Sequence, residues 1–124
     1  MNNKTILVIE DNALNKKLVR SLLAIGKYSV LEASDAESGI QLAREKKPDL
    51  ILMDIQLPGM DGLDATRVIK IDPDLKSIPI IALTSCEMDG DDRQAIEAGC
   101  DGSISKPIYT RGFLKTIDQY LSQS

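Results

Sequence analysis

The 124-residue chain has no histidine, no tryptophan and only two cysteines. Without histidine there is no Ser-His or Cys-His nucleophile, no imidazole general base and no His-ligated zinc site. Cys86 and Cys100 form no C-x-x-C pair. Their spacing fits neither a disulfide framework nor a thiolate zinc site, and points to a reducing, cytoplasmic setting. Each reads as a small buried hydrophobe. Aromatic residues make up 3% of the sequence, so the core has to be built from Leu, Ile, Val, Ala and Met. Positive charge is not in excess either: 15 basic against 19 acidic side chains leave a formal net charge of −4. That balance argues against direct nucleic-acid binding, which needs a basic footprint. Long hydrophobic runs are also missing. No stretch nears the roughly 20 apolar residues of a membrane span, and the first residues lack the apolar segment of a signal peptide. No membrane association is expected.

What is present is a regular alternation. A chain of this length fits one domain, and residues 1–124 are expected to form a single unit without linker, repeat or low-complexity tract. Ile6-Leu7-Val8-Ile9, Leu50-Ile51-Leu52-Met53 and Ile80-Ile81-Ala82-Leu83 are continuous apolar runs, short enough to be strands buried on both faces of a parallel sheet. Tyr28 to Ala33 and Gly102 to Ser105 are weaker strand candidates, suggested by their spacing. Between the strands lie segments with a 3.6-residue period. Leu14, Leu18 and Leu22 stack on one face of a first helix, with Gly26 ending it as the C′ residue. Ser34-Asp35-Ala36-Glu37 has the capping-box pattern and opens a second helix that runs to about Lys46. Phe113, Ile117, Tyr120 and Leu121 mark the face of a C-terminal helix. Five strands alternating with five helices predict an α/β fold of (βα)5 type. Its doubly wound, five-stranded parallel sheet carries helices on both faces, joined by right-handed crossovers, in a three-layer αβα sandwich.

Ligands of an open parallel sheet sit outside the carboxyl ends of its strands, so the residues that end each strand are the candidate site. The first strand ends in Glu10-Asp11-Asn12, the third in Asp54, the fourth in Thr84-Ser85 and the fifth in Lys106-Pro107. Polar residues mark strand ends in general, which accounts for one or two of these positions. It does not account for acids on two ends and the lysine after the last strand. Clustered carboxylates repel one another unless a cation neutralises them. Oxygen donors without imidazole or thiolate suit Mg²⁺ better than zinc or copper. A carboxylate can attack phosphorus to give an aspartyl phosphate, while a metal and a lysine share the charge on the equatorial oxygens. Asp54 is the best nucleophile, because it ends the most apolar and hence central strand. The Thr84 hydroxyl could hydrogen-bond a phosphoryl oxygen.

Four segments carry a family resemblance: Ile-Glu-Asp-Asn (9–12), Leu-Met-Asp-Ile-Gln-Leu-Pro-Gly-Met-Asp-Gly (52–62), Leu-Thr-Ser (83–85) and Ser-Lys-Pro (105–107). In order and at the family's spacing, they resemble the receiver domain of two-component response regulators over essentially the whole chain. The resemblance implies a flavodoxin-like domain, phosphorylated by a histidine kinase or a histidine phosphotransfer protein; separately, no output domain is expected in residues 1–124. It implies Asp54 as phosphoacceptor, with Mg²⁺ (or Mn²⁺) held by Glu10, Asp11, Asp54 and the Gln56 backbone carbonyl. Thr84 would be the switch hydroxyl, Ser85 a small neighbour of the phosphoryl group, Lys106 its counter-ion, and the Lys106–Pro107 bond cis. The signal would leave through the face of the fourth helix, fifth strand and fifth helix. Two positions depart from the family pattern. Glu10 stands where many members have Asp, and Ser103 stands where they commonly have the Tyr or Phe that turns inward on activation. Tyr109 lies too far along the chain to replace that ring.

Other polar groups have plainer readings. Pro58-Gly59 and Asp61-Gly62 are turn signals that shape the loop beside Asp54. Asp89, Asp91 and Asp92 fit the first turn of a helix, where negative charge complements the dipole. Lys16-Lys17 and Lys46-Lys47 fit solvated helix faces, and Gln56 and Cys86 would tune hydrolysis of the acyl phosphate. A phosphatase with an aspartate nucleophile typically needs a second Asp two residues on, where this chain has Gln56; a conventional enzyme is not expected. A flavin carrier would have its phosphate repelled by Glu10-Asp11. Two alternatives share the fold: a phosphorylation-independent docking module, which the Ser103 departure supports, and the receiver segment of a hybrid histidine kinase.

Overall fold

A computed structural model describes residues 4–55, 57, 59–85, 91–106 and 110–122; for 84, 85, 91–93, 105, 106, 110, 111 and 122 it describes the backbone alone. Strands and helices alternate: β1 (Thr5–Ile9), α1 (Ala13–Ile25), β2 (Ser29–Ala33), α2 (Ala36–Lys46), β3 (Leu50–Asp54), α3 (Gly62–Ile71), β4 (Ile80–Ser85), α4 (Asp91–Ala98), β5 (Gly102–Lys106) and α5 (Thr110–Ser122). All strand pairs are parallel, in the order β2-β1-β3-β4-β5. The three apolar runs of the sequence form the three inner strands, where both faces need apolar cover. In β3, Leu50, Ile51, Leu52 and Met53 are all 0% exposed, each side chain contributing about 1.5–3 kcal/mol of transfer free energy.

Alternation along the strands divides the core. Ile6, Val8, Leu50, Leu52, Ile81 and Leu83 pack with Val19, Leu22 and Leu23 of α1 and Phe113, Ile117 and Leu121 of α5. Leu7, Ile9, Ile51, Met53, Ile80 and Ala82 face the other way, against α2, α3 and α4. The sheet is therefore the middle of three layers. At the opposite edge, Asp101 Oδ2 accepts from Lys70 Nζ (2.9 Å) and from the Ile80 N–H (2.8 Å), tying α3 to the start of β4.

Three local expectations change. Of the leucines at 14, 18 and 22, only Leu22 is buried; Leu14 is 75% and Leu18 39% exposed, and Val19 and Leu23 complete the buried face. A four-residue step overshoots a full helical turn by about 40°, so a stripe at that spacing rotates off the core within two steps. Gly26 does end α1, but with φ −79° it is not left-handed; Lys27, at φ 65°, takes that conformation. Gly26 is needed for space, since a Cβ there would lie 2.9 Å from the Tyr28 ring and 3.0 Å from Leu114. The N-cap of α2 is Asp35, one residue after the serine of the proposed capping box, and accepts from the Ser38 N–H at 2.7 Å. Ser34 is drawn away instead, its Oγ bound by Lys16 Nζ at 2.7 Å. Lys16 is thus tied to a neighbouring loop, whereas Lys17, Lys46 and Lys47 are exposed as expected.

Candidate metal centre

The residues that end β1 and β3 converge. Ile9 is in register with Met53, and Met53 with Ala82, so the chain leaves the sheet at the same level on neighbouring strands, about 4.8 Å apart. Glu10 and Asp54 continue the alternation of Ile6-Val8 and Leu50-Leu52, on the α1/α5 side. Glu10 is 0% and Asp54 3% exposed, while Asp11 is exposed. One carboxylate oxygen from each of the three lies within 4.8 Å of the other two. Local structure fixes both approaches. The Glu10 N–H donates to Ala33 O at 3.0 Å, and Asn12 caps α1 by accepting from the Asn15 N–H at 2.9 Å, which sets Asp11 between two anchored neighbours. After Asp54, the Ile55 N–H reaches Leu83 O at 3.5 Å and Ile55 O accepts from the Gly62 N–H at 3.2 Å.

Thr84 and Ser85 end β4, and Lys106 ends β5 in register with Ser85. Their backbones therefore stand on the same sheet edge as Asp54, one and two strands away. Gln56, Pro58, Cys86, Asp89, Pro107 and Tyr109 lie outside the described residues. Ser103 is half-buried and in register with Ala82. Asp91 and Asp92 are the first residues of α4, as the dipole reading required. Cys100 is buried, and burial pushes its thiol above the usual range, in keeping with a packing role.

Asp61 and Gly62, read from sequence as a turn, do more. Asp61 is the N-cap of α3, accepting from the Asp64 N–H at 2.8 Å, and Gly62 lies against the backbone of Asp54. An Asp placed directly before an apolar helical stretch is a capping signal that could have shown the first of these; the second depends on how α3 returns to β3.

The donor set fits a hard divalent cation. Three oxygen ligands of like charge gain from a shared counter-ion, and the exposed Asp11 leaves one side open to the waters that Mg²⁺ retains. Among the described residues no helix is long and apolar enough to cross a membrane.

Five parallel strands between two helical layers, with acids gathered at the carboxyl edge, define a flavodoxin-like receiver architecture. The family description "response regulator receiver domain" matches residues 6–118, and the chain belongs to that family. It acts in two-component signalling as a receiver domain. Among its relatives is the polar-differentiation response regulator DivK of Brucella anthropi, 43% identical over 121 residues that cover 98% of either chain. The receiver domain of sensor histidine kinase PA1611 from Pseudomonas aeruginosa is 30% identical, with a TM-score of 0.90 over 98% of this chain and 99% of that one. That structure holds a magnesium ion coordinated in its active site cleft. The receiver domain of Saccharomyces cerevisiae Ssk1, crystallised with the histidine phosphotransfer protein Ypd1, is 26% identical with a TM-score of 0.87, covering 95% of this chain and 88% of the other.

Proposed function

We propose that Asp54 accepts a phosphoryl group from the phosphohistidine of a histidine kinase or phosphotransfer protein. One observation carries the reading: Asp54, 3% exposed at the end of the central strand, shares a 4.8 Å cluster with Glu10 and Asp11. An Asp54 carboxylate oxygen attacks phosphorus in line, the bond from phosphorus to the donor imidazole breaks, and its electron pair stays on the imidazole nitrogen. Glu10, Asp11, Asp54 and the Gln56 carbonyl would hold Mg²⁺ (or Mn²⁺), which neutralises charge on the transferring group. Thr84 donates a hydrogen bond to a phosphoryl oxygen, Ser85 leaves room beside it, and Lys106 supplies the counter-charge. The magnesium-bound relative and the Ypd1–Ssk1 pair support this assignment by likeness. The protein thus promotes its own phosphorylation and slow dephosphorylation in the cytoplasm, and turns over no diffusible substrate.

Leu14 and Leu18, exposed on α1 just after Asp11, line a groove of ≈ 390 Å³ with Asn15, Lys17 and Ser21. That groove offers a partner protein an apolar patch on the helix that follows Asp11. The α4-β5-α5 surface carries the changed state to a downstream protein. With Ser103 in place of a ring, the change runs through Thr84 and the loop after it.

The test is labelling by a small phosphodonor with Mg²⁺, followed by borohydride trapping and mass spectrometry. One acid- and base-labile site at Asp54 is expected, and Asp54→Asn should abolish it while the domain stays folded. Persistent labelling at another residue would overturn the assignment. Equal binding of a downstream protein with and without the label would favour the constitutive docking module, the reading that Ser103 supports.

A further inference from the structure

Gly62 differs from the other described glycines in what surrounds it. A Cβ at Gly26, Gly39, Gly99 or Gly102 would meet side chains, and at Gly59 and Gly112 it would meet nothing. At Gly62 it would meet main chain: the Asp54 carbonyl oxygen, with Ile55 Cα at 2.6 Å and the Asp54 carbonyl carbon at 2.9 Å. Real Cβ contacts essentially never fall below 3.0 Å, and backbone cannot rotate aside as a side chain can. Both peptide groups of Gly62 are engaged as well. Its N–H donates to Ile55 O at 3.2 Å, and its carbonyl accepts from the hydroxyl of Thr66, a fully buried residue, at 2.8 Å. The first turn of α3, capped by Asp61, is thereby seated on the peptide that follows Asp54.

We propose that Gly62 is a positioning residue for the Asp54 carboxylate. Its missing side chain lets α3 press directly on the Asp54–Ile55 backbone, which sets the direction in which Asp54 leaves β3 and keeps its oxygen within reach of Glu10 and Asp11. The proposal rests on the reading of Asp54 as phosphoacceptor. A methyl group at position 62 has to push α3 and the end of β3 apart. A displacement of roughly 1 Å is the scale on which a reacting group loses about a hundredfold in rate, and loss of a supporting contact around a metal typically weakens affinity about 10- to 100-fold.

The experiment compares Gly62→Ala with Gly102→Ala. The second crowds the Tyr120 side chain at the start of β5, the edge of the sheet away from Asp54. Mg²⁺ affinity is measured by calorimetry without any phosphodonor, labelling rate is measured at saturating Mg²⁺, and Tm is recorded for each. Both variants should lose stability. Gly62→Ala alone should weaken Mg²⁺ binding at least about tenfold and slow labelling at saturating Mg²⁺. A folded Gly62→Ala with both quantities within about twofold of the parent overturns the proposal. Should Gly62→Ala fail to fold, Asp61→Ala provides the second arm, because it frees the same helix end from an exposed position. A severalfold loss of Mg²⁺ affinity in Asp61→Ala supports the proposal, and unchanged affinity overturns it. Absence of label at Asp54 in the parent protein would sink the phosphoacceptor reading alone, since Mg²⁺ affinity reports positioning independently.

Discussion

Replacing Asp54 with asparagine should make the metal-free protein more stable, although it removes the residue on which the proposed function depends. The side chain is almost isosteric and keeps one acceptor oxygen, so packing at this buried position changes little. What disappears is one of three negative charges whose oxygens lie within 4.8 Å of one another. At that separation two unit charges repel by about 0.9 kcal/mol in bulk water and about 3.5 kcal/mol at an effective dielectric constant of 20. Asp54 takes part in two such pairs. Asp11 is exposed and Glu10 is not, so the effective dielectric lies between those limits. Asparagine also gives up part of what the carboxylate gains from its other neighbours. A net gain of about 1–2 kcal/mol remains, or roughly 4 °C in Tm per kcal/mol for a domain of this size. The assay is thermal and urea unfolding in EDTA at low and high KCl, then with added MgCl₂. The gain should shrink as salt screens the pairs. The parent should be stabilised by Mg²⁺ in proportion to ln(1 + [Mg²⁺]/Kd), and Asp54→Asn should lose most of that response. If Asp54→Asn is less stable than the parent in EDTA, and Mg²⁺ stabilises the parent no more than KCl of equal ionic strength, the three acids do not form a metal centre.

Four further outcomes follow from the fold. Leu14→Ser, at a 75% exposed position, should change unfolding free energy by less than about 0.5 kcal/mol. Leu23→Ala, fully buried on the same helix, should cost about 2–5 kcal/mol in urea titration. Lys47→Gly should stabilise the protein by about 0.5–1 kcal/mol, because Lys47 closes α2 in the left-handed region at φ 46°, which costs a side-chain-bearing residue about 1–2 kcal/mol, partly offset by the greater freedom glycine loses on folding. Finally, the Ser38 backbone N–H holds the Asp35 carboxyl below the usual carboxylate range. A lowered folded value means that the cap is at full strength above the ordinary carboxylate pKa and is lost as pH falls through the depressed one. Acid titration of Asp35 by NMR should show that low midpoint, and the Asp35→Asn variant should lose this part of the acid dependence.

Much of the fold could be read from local pattern. Four-residue apolar runs fall in β1, β3 and β4 because only strands covered on both faces need uninterrupted apolar sequence. Asp54 could be placed at the end of the central strand because β3 carries the most apolar of those runs. The helices were harder to orient. Leu14, Leu18 and Leu22 satisfy a helical period, yet only packing decides which side of a slowly rotating stripe meets the sheet, and here it is the side of Val19, Leu22 and Leu23. Capping was legible to within a residue: Ser34 and Asp35 both suit an N-cap, and the competing bond from Lys16 leaves the place to Asp35.

Composition and period along the chain were enough to say which residues end the strands, and therefore which chemistry is on offer: three carboxylates, two hydroxyls and one lysine, with no imidazole. These follow from composition and from periodicity along the chain, which are local properties. It takes the folded chain to bring Glu10, Asp11 and Asp54 within 4.8 Å of one another, to leave Leu14 and Leu18 in solvent, and to close Gly62 on the peptide after Asp54. Strand register brings the ends of β1 and β3 together, and the packing of helices on the sheet settles which side of α1 is covered and how α3 returns to β3.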